Sequence, residues 1–248
     1  MCAAMTPPLP FHGSEARWAR GNANESSEKN VIIRAADSLA YRRSVQLFFV
    51  NEDGQFLIGC PVGESNKQYR QTVQGGSVEG ETPMQTAANE AWEEIGLDLT
   101  NDASFLLEVL PPPTSLSCSG DSAGILASPE DNNGVLNKNG EIVSEYRAPF
   151  RYRTKQWRSK GIHGQEMYPF LFFLPRDHIH QLDVQASKRG VRQEFKQLYW
   201  GPLCVLEDQA PPVKKQVMSV ICRAVAAAAL PTLQCWRYPL DGIAAYMP

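Results

Sequence analysis

Glu90, Glu93 and Glu94 stand at i, i+3 and i+4 in the stretch Asn89-Glu90-Ala91-Trp92-Glu93-Glu94. On a helix these three carboxylates share one face. Like charges at that spacing repel, and a helix built for stability alone would alternate sign. The arrangement makes chemical sense when a divalent cation sits among the three. Oxygen-only carboxylate sites select hard ions, Mg²⁺ or Mn²⁺, which keep waters and accept phosphate oxygens. A cation so held neutralises phosphate charge and activates a water, whose proton a carboxylate takes. The bland alternative is a solvated acidic face. For the three glutamates alone it is the better reading. It weakens because Gly75, Gly76, Glu81 and Gly96 stand at fixed offsets around them, a combination chance rarely supplies.

In this register, Gly75, Glu81, Glu90, Ala91, Glu93, Glu94, Gly96 and Leu97 resemble the Nudix box, G-x5-E-x7-R-E-U-x-E-E-x-G-U with U apolar. Asn89 departs from it, standing where that family has an arginine that orients the glutamates. An asparagine hydrogen-bonds but carries no charge. The resemblance implies an α/β chain with the Nudix fold, a mixed β-sheet sandwiched between helices. It implies a hydrolase of phosphoric anhydrides using Mg²⁺ (or Mn²⁺), weakened or retuned by Asn89 rather than dead. Glu90, Glu93 and Glu94 would be catalytic and, with the Gly75 carbonyl, metal-binding.

Further segments resemble the branch of bacterial RNA 5′-pyrophosphohydrolases and diadenosine polyphosphate hydrolases. Tyr41-Arg42-Arg43-Ser44-Val45 looks like its Y-R-P-N-V, and Gln74 precedes the box as a glutamine does there. Gly164-Gln165 with Tyr168 and Phe170, and Glu194-Phe195 with Tyr199-Trp200, are similar to two later motifs. That likeness gives Glu194 a metal-binding or base role. Val213-Lys214-Lys215 resembles an F-K-R segment that contacts the nucleotide, with valine in place of the aromatic. Arg42, Gln74 and Lys214 are thereby candidate phosphate ligands. Arg151 and Arg153 join them from Phe150 to Lys160, where basic and aromatic residues interleave. Strand alternation would set Arg151, Arg153 and Lys155 on one face. They hold phosphates while rings stack on bases, or they guard a solvated edge strand. The implied partner is an RNA 5′ end or a nucleotide polyphosphate. Removal of pyrophosphate from triphosphorylated RNA is the first function expected. Dinucleoside polyphosphate cleavage is the second, and a Nudix-fold RNA-binding subunit with a protein partner in an RNA-processing complex is the third.

The elements that must position these residues follow from patterning. Residues 1–30 read as a poorly ordered extension, polar with little to bury. A Nudix domain spans 31–230 and a tail 231–248. Val45–Val50 and Gln55–Cys60 flank Asn51-Glu52-Asp53-Gly54, a hairpin signal. Thr82 to Ile95 reads as a helix capped by Thr82, with Pro83 in its first turn and Gly96 at its end. Met84, Ala87, Ala88, Ala91 and Ile95 form its apolar stripe. Strands are expected at 104–110, 168–175 and 195–203, and a helix at 213–230. Residues 111–145, rich in Ser, Gly, Asp and Asn, read as a long mobile insertion without chemistry.

A net charge of −3 over 248 residues excludes binding nucleic acid through overall charge, leaving local patches or a metal. The six scattered cysteines form no C-x-x-C pair, which fits a reducing compartment. His178 and His180 would share a strand face, though two polar residues near a strand end are the commoner case. No apolar run reaches the ~20 residues of a membrane span, so no membrane partner is expected. The N-terminus lacks a signal-peptide core, and its glutamates count against a transit peptide. The expected location is intracellular, mitochondrial or cytoplasmic, not secreted.

Overall fold

The computed structural model describes residues 30–35, 38–110, 135–136, 142–143, 150–185, 188 and 190–247. The expected extension at 1–30 lies outside them except for Asn30, as does most of the expected insertion. In chain order the elements are β1 (Ile32–Arg34), β2 (Ala40–Val50), β3 (Phe56–Pro61), β4 (Val73–Gly76), α1 (Pro83–Ile95) and β5 (Ser104–Glu108). They continue with β6 (Val135–Leu136), β7 (Ile142–Val143), β8 (Phe150–Arg153), β9 (Gly164–Phe173), β10 (Phe195–Gly201), α2 (Cys204–Asp208) and α3 (Lys215–Trp236). Among the described residues the ten strands make one mixed sheet, with α1 on one face and α3 on the other.

Its spine is the parallel pair β2 and β9, in continuous register from Tyr41 opposite Gly164 to Val50 opposite Phe173. Both strands are buried on both sides, the ordinary state of a covered parallel pair. Alternation then sorts their side chains. Val45, Leu47 and Phe49 of β2 face α1, packing with Ala87, Ala91 and Ile95. Phe48 and Val50 face α3, packing with Val217, Ile221 and Val225. A one-residue register slip would exchange the two sets, so the core pins the register.

The other flank of β2 is shared. β1 pairs at its start, β4 pairs over Ser44–Leu47, and β3 meets it only at Val50 opposite Phe56. The expected hairpin turn forms, with the Asn51 side chain accepting from the N–H groups of Asp53 and Gln55. Its strands diverge because β4 takes the place a full hairpin partner would hold. β2 also begins at Ala40 rather than Val45, and β9 at Gly164 rather than Tyr168. Polar residues Arg42, Arg43, Gln165 and Glu166 belong to these strands because they meet partners at the sheet's end. Hydrophobicity alone does not reveal that. Within the stretch expected as a featureless insertion, β7 pairs parallel to β1 and antiparallel to β6.

Helix α1 forms as expected. Thr82 Oγ1 accepts from Gln85 N–H (3.2 Å) while Gln85 Oε1 accepts from Thr82 N–H (2.8 Å), and Gly96 closes the helix in the left-handed region. Helix α3 differs: it runs through Pro231 to Trp236. Proline removes a helical hydrogen bond, yet Leu233 beyond it is fully buried, and Trp236 packs edge-on to Phe173. The tail folds back further, with Ile243 in the core and the Gly242 carbonyl accepting from Leu203 N–H. Contrary to expectation, α3 is long and apolar enough, by length and composition, to cross a membrane. Its apolar side is one wall of the core. His178 and His180 fall on a 3-10 turn, Arg176–His180, not on a strand, so their spacing aligns no ligand pair.

Because exposed Pro231 sits inside α3, Pro231→Ala should restore the missing bond and stabilise the protein by up to about 3 kcal/mol. Urea denaturation would measure it, and an unchanged or lower midpoint would refute it.

Candidate active site

The site lies where β4 runs into the loop before α1. Gly75 and Gly76 stand on neighbouring, opposite faces of β4, and each serves as the seat of a charged side chain. A Cβ on Gly75 would lie 1.9 Å from the Glu90 carboxylate carbon, and one on Gly76 would lie 2.1 Å from Cζ of Arg42. Any side chain there would evict the group above it. So the double glycine is a packing requirement: Glu90 comes down from α1 on one face, and Arg42 covers the other. The Gly75 carbonyl accepts from Ser44 Oγ at 2.8 Å, and Gly75 pairs with Val45 in the β2–β4 ladder.

Glu90 and Glu94 are both buried, and Glu93 is half-buried. Glu94 Oε2 accepts from Gln74 N–H at 3.2 Å. Burial raises the Glu94 pKa well above the usual carboxylate range, and Glu90, then Glu194 and Glu93, raise it further against the Gln74 N–H. The four carboxylates expected to act together therefore sense one another, including Glu194 from the residue before β10. Among the described residues no three His, Cys, Asp or Glu side chains are drawn into one tight group. Glu90, Glu93, Glu94, Glu194 and the Gly75 carbonyl would offer a metal oxygen atoms only, and repulsion among carboxylates is of the kind a hard divalent cation relieves.

Gln74 joins the two helices across the sheet. Its N–H meets Glu94 of α1, and its Oε1 accepts from Lys214 Nζ, just before α3, at 3.1 Å. Burial lowers the Lys214 pKa to about 8, with Glu94 acting to raise it. Its ammonium also lies 5.5 Å from the Tyr152 ring centre, and the Arg42 guanidinium lies 5.9 Å from that of Trp157. Arg42 and Lys214 thus each lie against an aromatic ring, and Gln74 links Lys214 to the Glu94 carboxylate across β4.

Arg151 and Arg153 fare differently. Arg151 Nε and Nη2 both lie 2.6 Å from Glu166 Oε2, and the guanidinium covers the Tyr41 ring, so an internal carboxylate already occupies it. Strand β8 ends at exposed Arg153, leaving Lys155 off the expected face. The glutamate that holds Arg151 was missed by sequence reasoning. An acid inside an apolar strand, Gln165-Glu166-Met167, was the available signal. Asn89, the departure from the box, is buried and donates to Glu81 Oε1 at 2.7 Å. Thr86 Oγ1 donates to the other oxygen at 2.9 Å.

Residues 40–141 match the NUDIX domain. A Mesorhizobium japonicum protein named RNA pyrophosphohydrolase is 22% identical over 194 residues, covering 76% of this chain and 91% of that protein. The likeness to Nudix proteins is thus carried by a domain match over residues 40–141 and by a relative of low identity. A Psychrobacter protein of the same printed name is 39% identical over 61 residues, which span 25% of this chain and about a third (34%) of that relative. Among solved structures, the Escherichia coli dihydroneopterin triphosphate pyrophosphohydrolase is similar over 72% of this chain and 94% of its own (15% identity, TM-score 0.41). A Caenorhabditis elegans Ap4A hydrolase is similar over 75% and 98% (13% identity, TM-score 0.40). Nudix enzymes act on pyrophosphate bonds and generally use divalent metal ions.

Since Glu90 rests on Gly75, Gly75→Ala should displace a carboxylate by more than an ångström. Hydrolytic turnover is expected to fall by about 10²-fold while the circular dichroism spectrum is retained. Turnover within twofold of the parent would show that Glu90 need not sit there.

Proposed function

We propose that the chain removes pyrophosphate from the 5′-triphosphate end of RNA, leaving a monophosphate. Glu90, Glu93, Glu94, Glu194 and the Gly75 carbonyl would hold Mg²⁺ (or Mn²⁺). The observation that carries this reading is the line Glu94–Gln74–Lys214, which sets an acid and a buried cation on either side of one residue. A polyphosphate needs that pairing: metal-binding acid at the scissile bond, ammonium for the oxygens beyond it. When bound, a divalent ion supplies charge neutralisation and a more acidic water. Glu94, oriented by the Gln74 N–H, would be the acceptor of that water's proton. Lys214 and Arg42 hold phosphate oxygens, and the rings of Tyr152 and Trp157 offer faces to the first bases. The RNA pyrophosphohydrolase name of a relative matched over 91% of its length supports the same substrate.

Asn89 favours an enzyme over a scaffold, since its hydrogen bond still anchors Glu81 at the base of α1.

Purified protein with Mg²⁺ should release pyrophosphate from 5′-triphosphorylated RNA faster than it cleaves diadenosine tetraphosphate. Glu94→Gln should lower the RNA rate by at least ~10²-fold. Preferred cleavage of the dinucleotide would move the substrate to that class, and no release from RNA at saturating Mg²⁺ would sink the proposal. Lys214→Met should raise KM for RNA about tenfold, the equivalent of one charge-assisted hydrogen bond. An unchanged KM would remove Lys214 from the phosphate site.

A further inference from the structure

Arg43 is a buried cation that the reaction described above does not employ. It is 9% exposed and points from β2 to the face that carries α1. Its Nη2 donates to the Glu81 carbonyl at 2.6 Å. Its own backbone carbonyl accepts from Ser77 N–H at 3.0 Å, and its N–H donates to the Val31 carbonyl at 2.9 Å. One residue thereby ties down both ends of the turn 77–81 that leads from β4 into α1. The Glu81 carboxylate is held in the same place by Asn89 Nδ2, by Thr86 Oγ1 and, at 3.4 Å, by Val78 N–H.

Burying a guanidinium is costly unless acids face it. Glu81 lies ahead of Arg43. Behind it, Glu166 stands opposite in the β2–β9 register, and its carboxylate accepts from Tyr168 Oη and Arg151. Arg43 is therefore clamped between the sheet and the loop. On the helix side Glu81 accepts from two neutral donors, Asn89 and Thr86, and from the sheet side the Arg43 guanidinium reaches its carbonyl.

We propose that Arg43 is a positioning residue of the hydrolytic site. By fixing the turn 77–81 against β2, it sets the height at which α1 begins. It thereby sets where Glu90 lands on Gly75 and Glu94 on the Gln74 N–H. Those contacts lie three turns or fewer along a stiff helix, so a shift at its first residue is carried to both carboxylates. The inference rests on reading those glutamates as the metal site.

The test titrates Mn²⁺ by electron paramagnetic resonance and measures kcat and KM on triphosphorylated RNA. It compares the parent, Glu94→Gln, Arg43→Met, Arg43→Lys and the double variant Arg43→Met with Asn89→Arg. Arg43→Met should weaken Mn²⁺ binding and lower kcat, each by 10- to 100-fold, roughly the effect of losing a residue that orients metal ligands, with KM little changed. The double variant, which returns a cation to Glu81 from the helix side, should recover part of both. A general loss of fold would not be repaired by that change. If Arg43→Met does not fold, Arg43→Lys takes its place, since a shorter single ammonium cannot keep the 2.6 Å bond. Glu94-dependent Mn²⁺ binding that is indifferent to Arg43 would overturn this inference alone. Mn²⁺ binding indifferent to Glu94→Gln would overturn the site reading and this inference with it.

Discussion

Carboxylates gathered at one end of a sheet repel one another, and burial magnifies the repulsion because water no longer screens it. Glu90 and Glu94 are buried, with half-buried Glu93 and Glu194 near them, and burial together with these neighbours raises the Glu94 pKa. Much of the structure around them can be understood as the means of keeping them there. Buried α1 residues dock the helix to β2 through Ala87, Ala91 and Ile95. The capping box fixes its first turn, and β10 carries Glu194 in from a distant part of the chain.

The glycines of the box and Gln74 show how small the tolerances are. Side chains seated directly on the strand backbone leave no room for a methyl group at Gly75 or Gly76, so β4 offers bare backbone to Glu90 of α1 on one face and to Arg42 of β2 on the other. Gln74, between the two layers, uses its N–H for one helix and its side chain for a lysine at the start of the other. Acid and base are thus spaced through a single residue rather than through two independent loops. Two helices that share no direct contact at this point are held to one geometry.

Arg43 is held by the Glu81 backbone carbonyl, whereas Arg151 and Glu166 form a largely buried ion pair. Buried ion pairs contribute little net stability once desolvation is counted, but removing one partner leaves an unpaired charge. Such pairs define geometry more than they add stability. That suits strands whose polar ends must meet a functional loop.

Local pattern was enough to read α1, its cap at Thr82, its stop at Gly96 and its three glutamates on one face. Each of these depends on residues within a turn or two of one another. The turn at Asn51–Gly54 and the apolar centres of β2, β9 and β10 were legible for the same reason. Three things were decided only in the folded chain. Parallel pairing of β2 with β9, separated by more than a hundred residues, extended both strands into polar sequence that alternation alone does not mark. Burial beyond Pro231 carried α3 through a residue that locally ends helices. And the fates of the basic residues diverged: Arg42 covered Gly76, Lys214 reached Gln74 near Glu94, Arg151 was taken by Glu166, and Arg43 turned to the Glu81 carbonyl. A sequence lists charges, but which one meets a phosphate depends on what else lies within hydrogen-bonding distance, and that is set by contacts between residues far apart in the chain.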